Sequence, residues 1–278
     1  MGQEKVFSIV IATYNRPRQL EFCLEAICKL IYPKENYEVV VVDDGSKVSL
    51  ENLIKKFADR LNIVLLRKSN NGPAGARNAG VAIAKGKYIA FTDDDCKVDE
   101  YWLSHLAAEL DSDKDLVIGG KTENLLVDNI YSTASQLLVD YMYQYHEKCQ
   151  RKTKFFTGNN IALSKKLFEK VGGFDEEAFY LMVGEDRNFC ERLAEAGAKL
   201  KYLDTAKIYH FHYLNLKSFI RQHFNYGGGS YKCHQLRARR KDQQIELEPI
   251  TFYLQLLLYP FYKLQGTEKF TGFMLFLV

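Results

Sequence analysis

An α/β fold built on a mostly parallel sheet is what this sequence predicts, on three observations. Apolar runs of strand length alternate with segments of helical periodicity over the first hundred residues. One of the runs, VFSIVIA (6–12), is continuous rather than alternating, as a strand buried on both faces requires, and YEVVVV (37–42) follows as the second strand. Acidic or polar clusters close three of the strands: TYNR (13–16), DDGS (43–46) and TDDDC (92–96). Open parallel sheets bind ligands at such strand ends.

In chain order, strand 6–12 precedes a helix over 17–31 with apolar positions Leu20, Leu24 and Ile27 at helical spacing. Strand 37–42 precedes a helix over 49–60. NIVLL (62–66) reads as the third strand, AGARNAGVAIA (74–84) as an alanine-rich helix and KYIAFT (87–92) as the fourth strand. A helix over 100–110 follows, with Asp95 or Asp99 available as its cap. The pattern is then less regular. LVIGGKT (116–122) predicts a strand, 131–149 a tyrosine-rich helix, FFTGNNIALS (155–164) a strand with a turn, and SKKLFEKVGG a helix closed by glycine. GEDRNFCERLAEAG (184–197) is a cleaner helix, with strands expected at KLKYLD (199–204) and IYHFHY (208–213).

The 278 residues are 47% hydrophobic and 26% charged, enough for one large domain or a domain with an appendage. A net charge of +3 does not point to nucleic acid, and none is expected as partner. Cysteines 23, 28, 96, 149, 190 and 233 form no CxxC pair. They read as reduced core thiols of a cytoplasmic protein. The N-terminus lacks the features of a signal peptide, and no apolar run is long enough to span a bilayer. Residues 252–264 and 270–278 are very apolar and stop mid-run at GFMLFLV, the mark of a chain cut there or of a membrane contact.

The acidic clusters carry the chemistry. Three adjacent aspartates repel one another unless a hard divalent cation sits among them, and carboxylates with phosphate oxygens suit Mg2+ or Mn2+. The alternative is a solvated acidic turn or a helix cap; the convergence of three clusters on one rim argues against it. In DDGS, an aspartate can simply form a turn or can accept from a nucleobase or ribose. NGPAGARNAG (71–80) is not a phosphate loop, because neither the GxGxxG nor the GxxxxGK[ST] pattern occurs where it should. Arg77 there can face a nucleotide or form a surface ion pair. Counting from Asp186, residues Phe189, Cys190, Leu193, Ala194 and Gly197 make the apolar stripe of their helix. Asp186 thus sits on the inward face at the first turn, as a dipole-stabilised acid or as a general base. His210 and His212 share one face of their expected strand, within reach of a metal or a diphosphate.

TYNR, DDGS, GARNAG, FTDDD, TGNNIALSKKLFEKVGGFDE and GEDRNFCERLAEAG occur in an order that resembles the family 2 glycosyltransferases over about residues 6–230. The resemblance implies a GT-A fold: a Rossmann-like nucleotide-binding sheet, mostly parallel, with a mixed acceptor-side half. It implies a domain over 1–232, divided near 115 into nucleotide-sugar and acceptor halves, and a basic, helical, apolar extension over 233–278. The implied activity is inverting transfer of a sugar from a nucleotide-sugar, by family habit a UDP-sugar, to an acceptor hydroxyl of a glycan or lipid-linked acceptor in cell-surface polysaccharide or glycolipid assembly. Ala12, Thr13, Tyr14, Asn15, Asp44, Arg77, Asp93 and Asp94 would hold the donor. Asp95, with Asp93, His210 and His212, would hold Mn2+ or Mg2+. Asp186 would be the base with Glu185 beside it, and Gly158, Asn159 and Asn160 would lie on the acceptor side.

NLKSFIRQHFNYGGGSYK (215–232) departs from the family at Gly228, where an arginine is usual. LRARRK (236–241) beside the apolar tail reads either as an anchor on an anionic membrane surface, at the inner face of the cell membrane, or as a solvated turn and a packed helix. Rival readings are a nucleotidyltransferase, which would carry a basic glycine-rich loop where this chain has TYNRPR, and a non-catalytic sugar-nucleotide-binding protein, against which the retained acids argue.

Overall fold

Eight strands form one sheet in the order β3-β2-β1-β4-β7-β6-β8-β5 in the computed structural model, which describes residues 6–148, 155–241 and 248–277. Strands β1 (Phe7–Thr13), β2 (Tyr37–Asp43), β3 (Ile63–Arg67) and β4 (Tyr88–Asp93) pair in parallel. Every residue of β2 is buried, which explains why its sequence does not alternate. The intervening helices are α1 (Pro17–Ile27), α2 (Glu51–Lys55) and α3 (Gly72–Ile83). Helix α1 opens on Pro17 and α3 carries Pro73 as its second residue, where a missing N–H costs nothing in the first turn. The expected helix over 49–60 is reduced to the single turn and a half of α2.

Beyond β4 the sheet turns mixed. A short strand β5 (Cys96–Val98), absent from the sequence reading, precedes α4 (Trp102–Leu110). The backbone N–H of Tyr101 donates to Asp99 Oδ1 at the start of α4. Strand β6 (Leu116–Asn124) leads to α5 (Ile130–Lys148). Strand β7 (Ile161–Ser164) runs antiparallel to both β4 and β6 and passes into α6 (Lys165–Lys170), capped by Ser164 Oγ on the Leu167 N–H. FFTGNN precedes β7 as coil and turn, not strand. After α7 (Glu185–Glu195), the two strands expected over 199–213 are one, β8 (Lys199–His210), antiparallel to β5.

The described chain forms two compact units, residues 1–123 with 155–210 and residues 124–154 with 211–278. The first holds the whole sheet and its main core, with Trp102, Phe7 and Phe57 fully buried. The second is helical: α5, α8 (Leu216–Lys241), α9 (Ile250–Lys263) and α10 (Glu268–Phe276), with Tyr141 packed against Phe252 and Tyr259. The boundary expected at 232 falls inside α8, which runs through it unbroken. Cys23, Cys96, Cys190 and Cys233 are buried free thiols and Cys28 is half-buried; Cys149 lies outside the described residues. No described helix is long and apolar enough to cross a membrane.

Candidate active site

The three strand-end clusters meet. Thr13 Oγ1, at the end of β1, donates to Asp94 Oδ2 at 2.7 Å. The Asn15 N–H donates to Ser46 Oγ, and Asn15 Oδ1 accepts from the Lys47 N–H, both at 2.8 Å. Asn15 makes this turn at φ +56°, a region asparagine tolerates better than most residues. These bonds lock the loop after β1 onto the loops after β2 and β4 where β1 lies between its parallel neighbours, the point at which open sheets form a ligand crevice. Ala12 is partly buried one residue before, and Tyr14 stands exposed at the rim.

The aspartates of the fourth strand end meet four partners, one of them shared. Asp93 Oδ1 accepts from Arg77 Nη2 at 2.8 Å. Asp94 is buried and accepts from Thr13 and from Arg16 Nη1 at 3.2 Å. Asp95 Oδ2 accepts from the same Arg16 nitrogen at 3.1 Å, and its Oδ1 lies 3.2 Å from His210 Nε2. Burial, with the neighbouring Asp95 charge, pushes Asp94 up to about 7 against the pull of Arg16 and Thr13. Burial lowers His210, but the charge and hydrogen bond of Asp95 outweigh it and the net shift is upward. So many acids in a desolvated corner need cations. Asp95, Cys96 and His210 offer ligand atoms that all lie within 4.8 Å of one another.

His210 earns its place through the β5–β8 pairing, which sets it opposite Cys96. His212 does not share its strand face, because β8 ends at His210. The His212 carbonyl instead accepts a hydrogen bond from Ser132 Oγ in the helical unit.

Arg77, read from the sequence as facing a nucleotide or forming a surface ion pair, lies inside the site. It is 5% exposed, and its guanidinium bridges Asp93 and, at 2.7 Å through Nη1, Glu185 Oε1. It also lies 5.6 Å from the centre of the Phe174 ring. Glycine at 158 lets it fit, since a Cβ there would sit 3.2 Å from Arg77 Cζ. Burial opposes its charge, yet Asp93 and Glu185 hold the group firmly protonated.

Asp186 follows Glu185 in the first turn of α7, with Phe189, Cys190 and Leu193 on the buried face. Its Oδ2 accepts from the Gly158 N–H at 3.0 Å and its Oδ1 from the Arg187 N–H at 2.7 Å. Burial raises its pKa against those two bonds, and burial with the Asp186 charge raises that of Glu185 against Arg77. Asp93, Arg77, Glu185 and Asp186 form one continuous polar chain from the β4 end to α7.

Two expected contacts have other uses. The Asp44 carboxylate accepts from the N–H groups of Asn71 and Gly72 and from Lys68 Nζ, so it clamps the loop that starts α3. Asn160 is 1% exposed: its Oδ1 accepts from Trp102 Nε1 and its Nδ2 donates to the Lys121 and Ala206 carbonyls. It braces β7 and cannot face an acceptor. Asn159 is buried as well, and its Oδ1 accepts from Thr122 and Thr157. Arg16 and Asp43 were missed. Arg16 stood in TYNR without a role of its own, and Asp43 is wholly buried with Oδ1 on the Ser46 N–H and Oδ2 without a hydrogen bond.

A family model described as glycosyl transferase family 2 matches residues 8–172, more than half of the chain. The chain belongs to glycosyl transferase family 2. A second model, the N-terminal domain of galactosyltransferase, matches residues 141–214 of this family 2 chain. A chondroitin synthase of Pasteurella multocida is 31% identical over 238 residues, covering 73% of this chain and 24% of that protein. The chain thus spans about a quarter of that relative's length. Among solved structures, a mannosyltransferase of Pyrobaculum calidifontis in complex with GDP-Man and Mn2+ superposes with a TM-score of 0.67 at 17% identity, over 97% of this chain and 74% of that one. TarS of Staphylococcus aureus in complex with UDP-GlcNAc gives 0.56 at 20% identity, over 92% and 73%. The likeness establishes the GT-A fold of this family 2 member.

Proposed function

We propose that this chain transfers a sugar from a nucleoside diphosphate sugar, a UDP-sugar first of all, to a hydroxyl of a growing cell-surface glycan, with inversion at the anomeric carbon. The observation that carries this is the buried chain Asp93–Arg77–Glu185 alongside Asp186, which ties the donor rim of the sheet to the first turn of α7. The relatives named above, a synthase of chondroitin and TarS with its UDP-GlcNAc, support the substrate class.

Asp186 is the base in this reading. Two backbone N–H groups fix its carboxylate, so its free lone pairs have one orientation, and partial desolvation raises its proton affinity. The acceptor oxygen bonds to the anomeric carbon as its proton passes to Asp186; the bond from that carbon to the diphosphate oxygen breaks, and nucleoside diphosphate leaves. Glu185 and Arg77 are positioning residues that hold Asp93 and α7 in register. The donor set fits a divalent cation: Asp95 would supply an oxygen and His210 an imidazole, with the Cys96 thiol within 4.8 Å of both, and the imidazole favours Mn2+ over the oxygen-seeking Mg2+. Such a cation, when bound, would neutralise charge on the departing diphosphate. Thr13, Tyr14 and Asn15 line the nucleotide side of the rim.

The test is a panel of UDP-, GDP- and dTDP-sugars with oligosaccharide acceptors, with and without Mn2+, read as nucleotide release and product anomeric configuration. Asp186→Asn should keep nucleotide-sugar binding and lose about 10²–10⁴-fold in transfer. Near-normal transfer by that variant overturns the assignment of the base.

A further inference from the structure

Helix α8 has two apolar faces, and only one is packed. Phe219, Gly229 and Cys233 are buried within the helical unit. Leu216, Ile220, Phe224 and Tyr231 are exposed, Phe224 at 81%. At about 100° per residue these four fall within an arc of about 80°, directed away from the buried side. The adjoining arc, about 60° wide, carries Lys217, Arg221, Lys232 and Arg239, spaced so that all four stand on one helical line. A bare apolar stripe edged by a row of cations is the pattern of a helix lying in a membrane interface.

The rest of the unit repeats the theme. Helices α8, α9 and α10 each pack on α5. Along α9, Ile250, Leu254, Leu258 and Tyr262 recur every fourth residue and are exposed, with Lys263 next to the last of them. Fourteen residues are too few to span a bilayer but enough to lie along one. Charge is partitioned as well: this unit holds 13 Lys and Arg against 7 Asp and Glu, in a chain whose overall charge is only +3. The sheet unit is therefore net acidic and the helical unit net basic.

We propose that the helical unit docks on an anionic phospholipid surface through the exposed face of α8, with the apolar stripe entering the headgroup boundary and Lys217, Arg221, Lys232 and Arg239 meeting lipid phosphates. Charge chooses this occupant over a second copy of the chain, because a symmetric pairing through this stripe would bring two net basic helical units together. The sequence offered a membrane anchor at LRARRK (236–241) and the apolar tail, or a solvated turn and a packed helix; the face proposed here lies upstream, over 216–239. Vesicle binding requires no sugar substrate, so this docking and the transfer reaction stand or fall separately.

The experiment is co-sedimentation of the full chain with sucrose-loaded vesicles of pure phosphatidylcholine and of phosphatidylcholine containing about 30 mol% phosphatidylglycerol. Binding is expected to the anionic vesicles only and to weaken with added salt. Phe224→Glu, and separately Lys217→Glu with Arg221→Glu, should each lower partitioning by about tenfold or more, given the contribution of each basic residue near a charged surface. Unchanged thermal unfolding of the variants serves as the control for folding. Absence of binding to anionic vesicles overturns the proposal, as does binding indifferent to Phe224→Glu. So does a concentration-dependent dimer that Phe224→Glu abolishes, which would assign the stripe to self-association.

Discussion

Replacing Arg77 with methionine removes the cation between two carboxylates while keeping most of the side-chain volume. Arg77 donates to Glu185 at 2.7 Å and to Asp93 at 2.8 Å. Breaking a buried ion pair from one side costs about 3–5 kcal/mol, because the abandoned charge stays desolvated. Asp93 keeps 32% of its side chain exposed and recovers water, whereas Glu185 keeps 8%. The lower end of the range, about 3 kcal/mol, therefore applies, and for a protein of this size it lowers Tm by about 6–12 °C. The cost depends on pH. Burial already raises Glu185, and losing Arg77 raises it further, so the folded variant binds this proton more tightly than the unfolded chain does. The stability of the variant then falls as pH rises from the ordinary glutamate value through the raised one, and the penalty is larger at pH 8 than at pH 5. Urea unfolding at the two pH values measures it, with Arg77→Met/Glu185→Gln expected to recover part of the loss. A penalty under about 1 kcal/mol at pH 8, or one equal at both pH values, refutes the buried bridge.

Arg16→Ala frees Asp94 and Asp95 of a half-exposed cation, so Mn2+ should bind the nucleotide-free protein several-fold more tightly by electron paramagnetic resonance titration; equal or weaker binding counts against competition between the two cations. With Asp186 as the proposed base, which works deprotonated, kcat should be lost as pH falls through a value above that of an ordinary aspartate, and an acid limb at the ordinary value would count against that assignment. Gly119→Ala would put a methyl 2.0 Å from Phe156 Cγ and should cost about 1–3 kcal/mol in chemical denaturation. Burial, with the nearby His212, pulls His223 down to about 4, so the unfolded chain takes up this proton first. Stability should decline as pH drops from about 6.5 towards 4, and His223→Gln should flatten that decline.

The chain by itself determined the parallel half of the sheet. Runs such as VFSIVIA and YEVVVV have one stable solution, burial on both faces, and once those strands are parallel their polar ends must share a rim. The inward placement of Asp186 was equally local, since a helical period fixes which residues share a face. Tertiary structure alone decided which polar side chain meets which. Arg77 could face a nucleotide or pair at the surface and an aspartate of DDGS could simply form a turn, and nothing within a few residues of either reveals that long-range packing buries both Arg77 and Asp43. Gly158 and Glu185 close over Arg77 from positions 81 and 108 residues away. His210 and His212 were both ligand candidates in the sequence; only the pairing of His210 with Cys96 shows it beside Asp95, while His212 lies two residues past the end of β8. Helical period is written in adjacent residues, whereas ion-pair partners and sheet register are set by where distant segments come to rest.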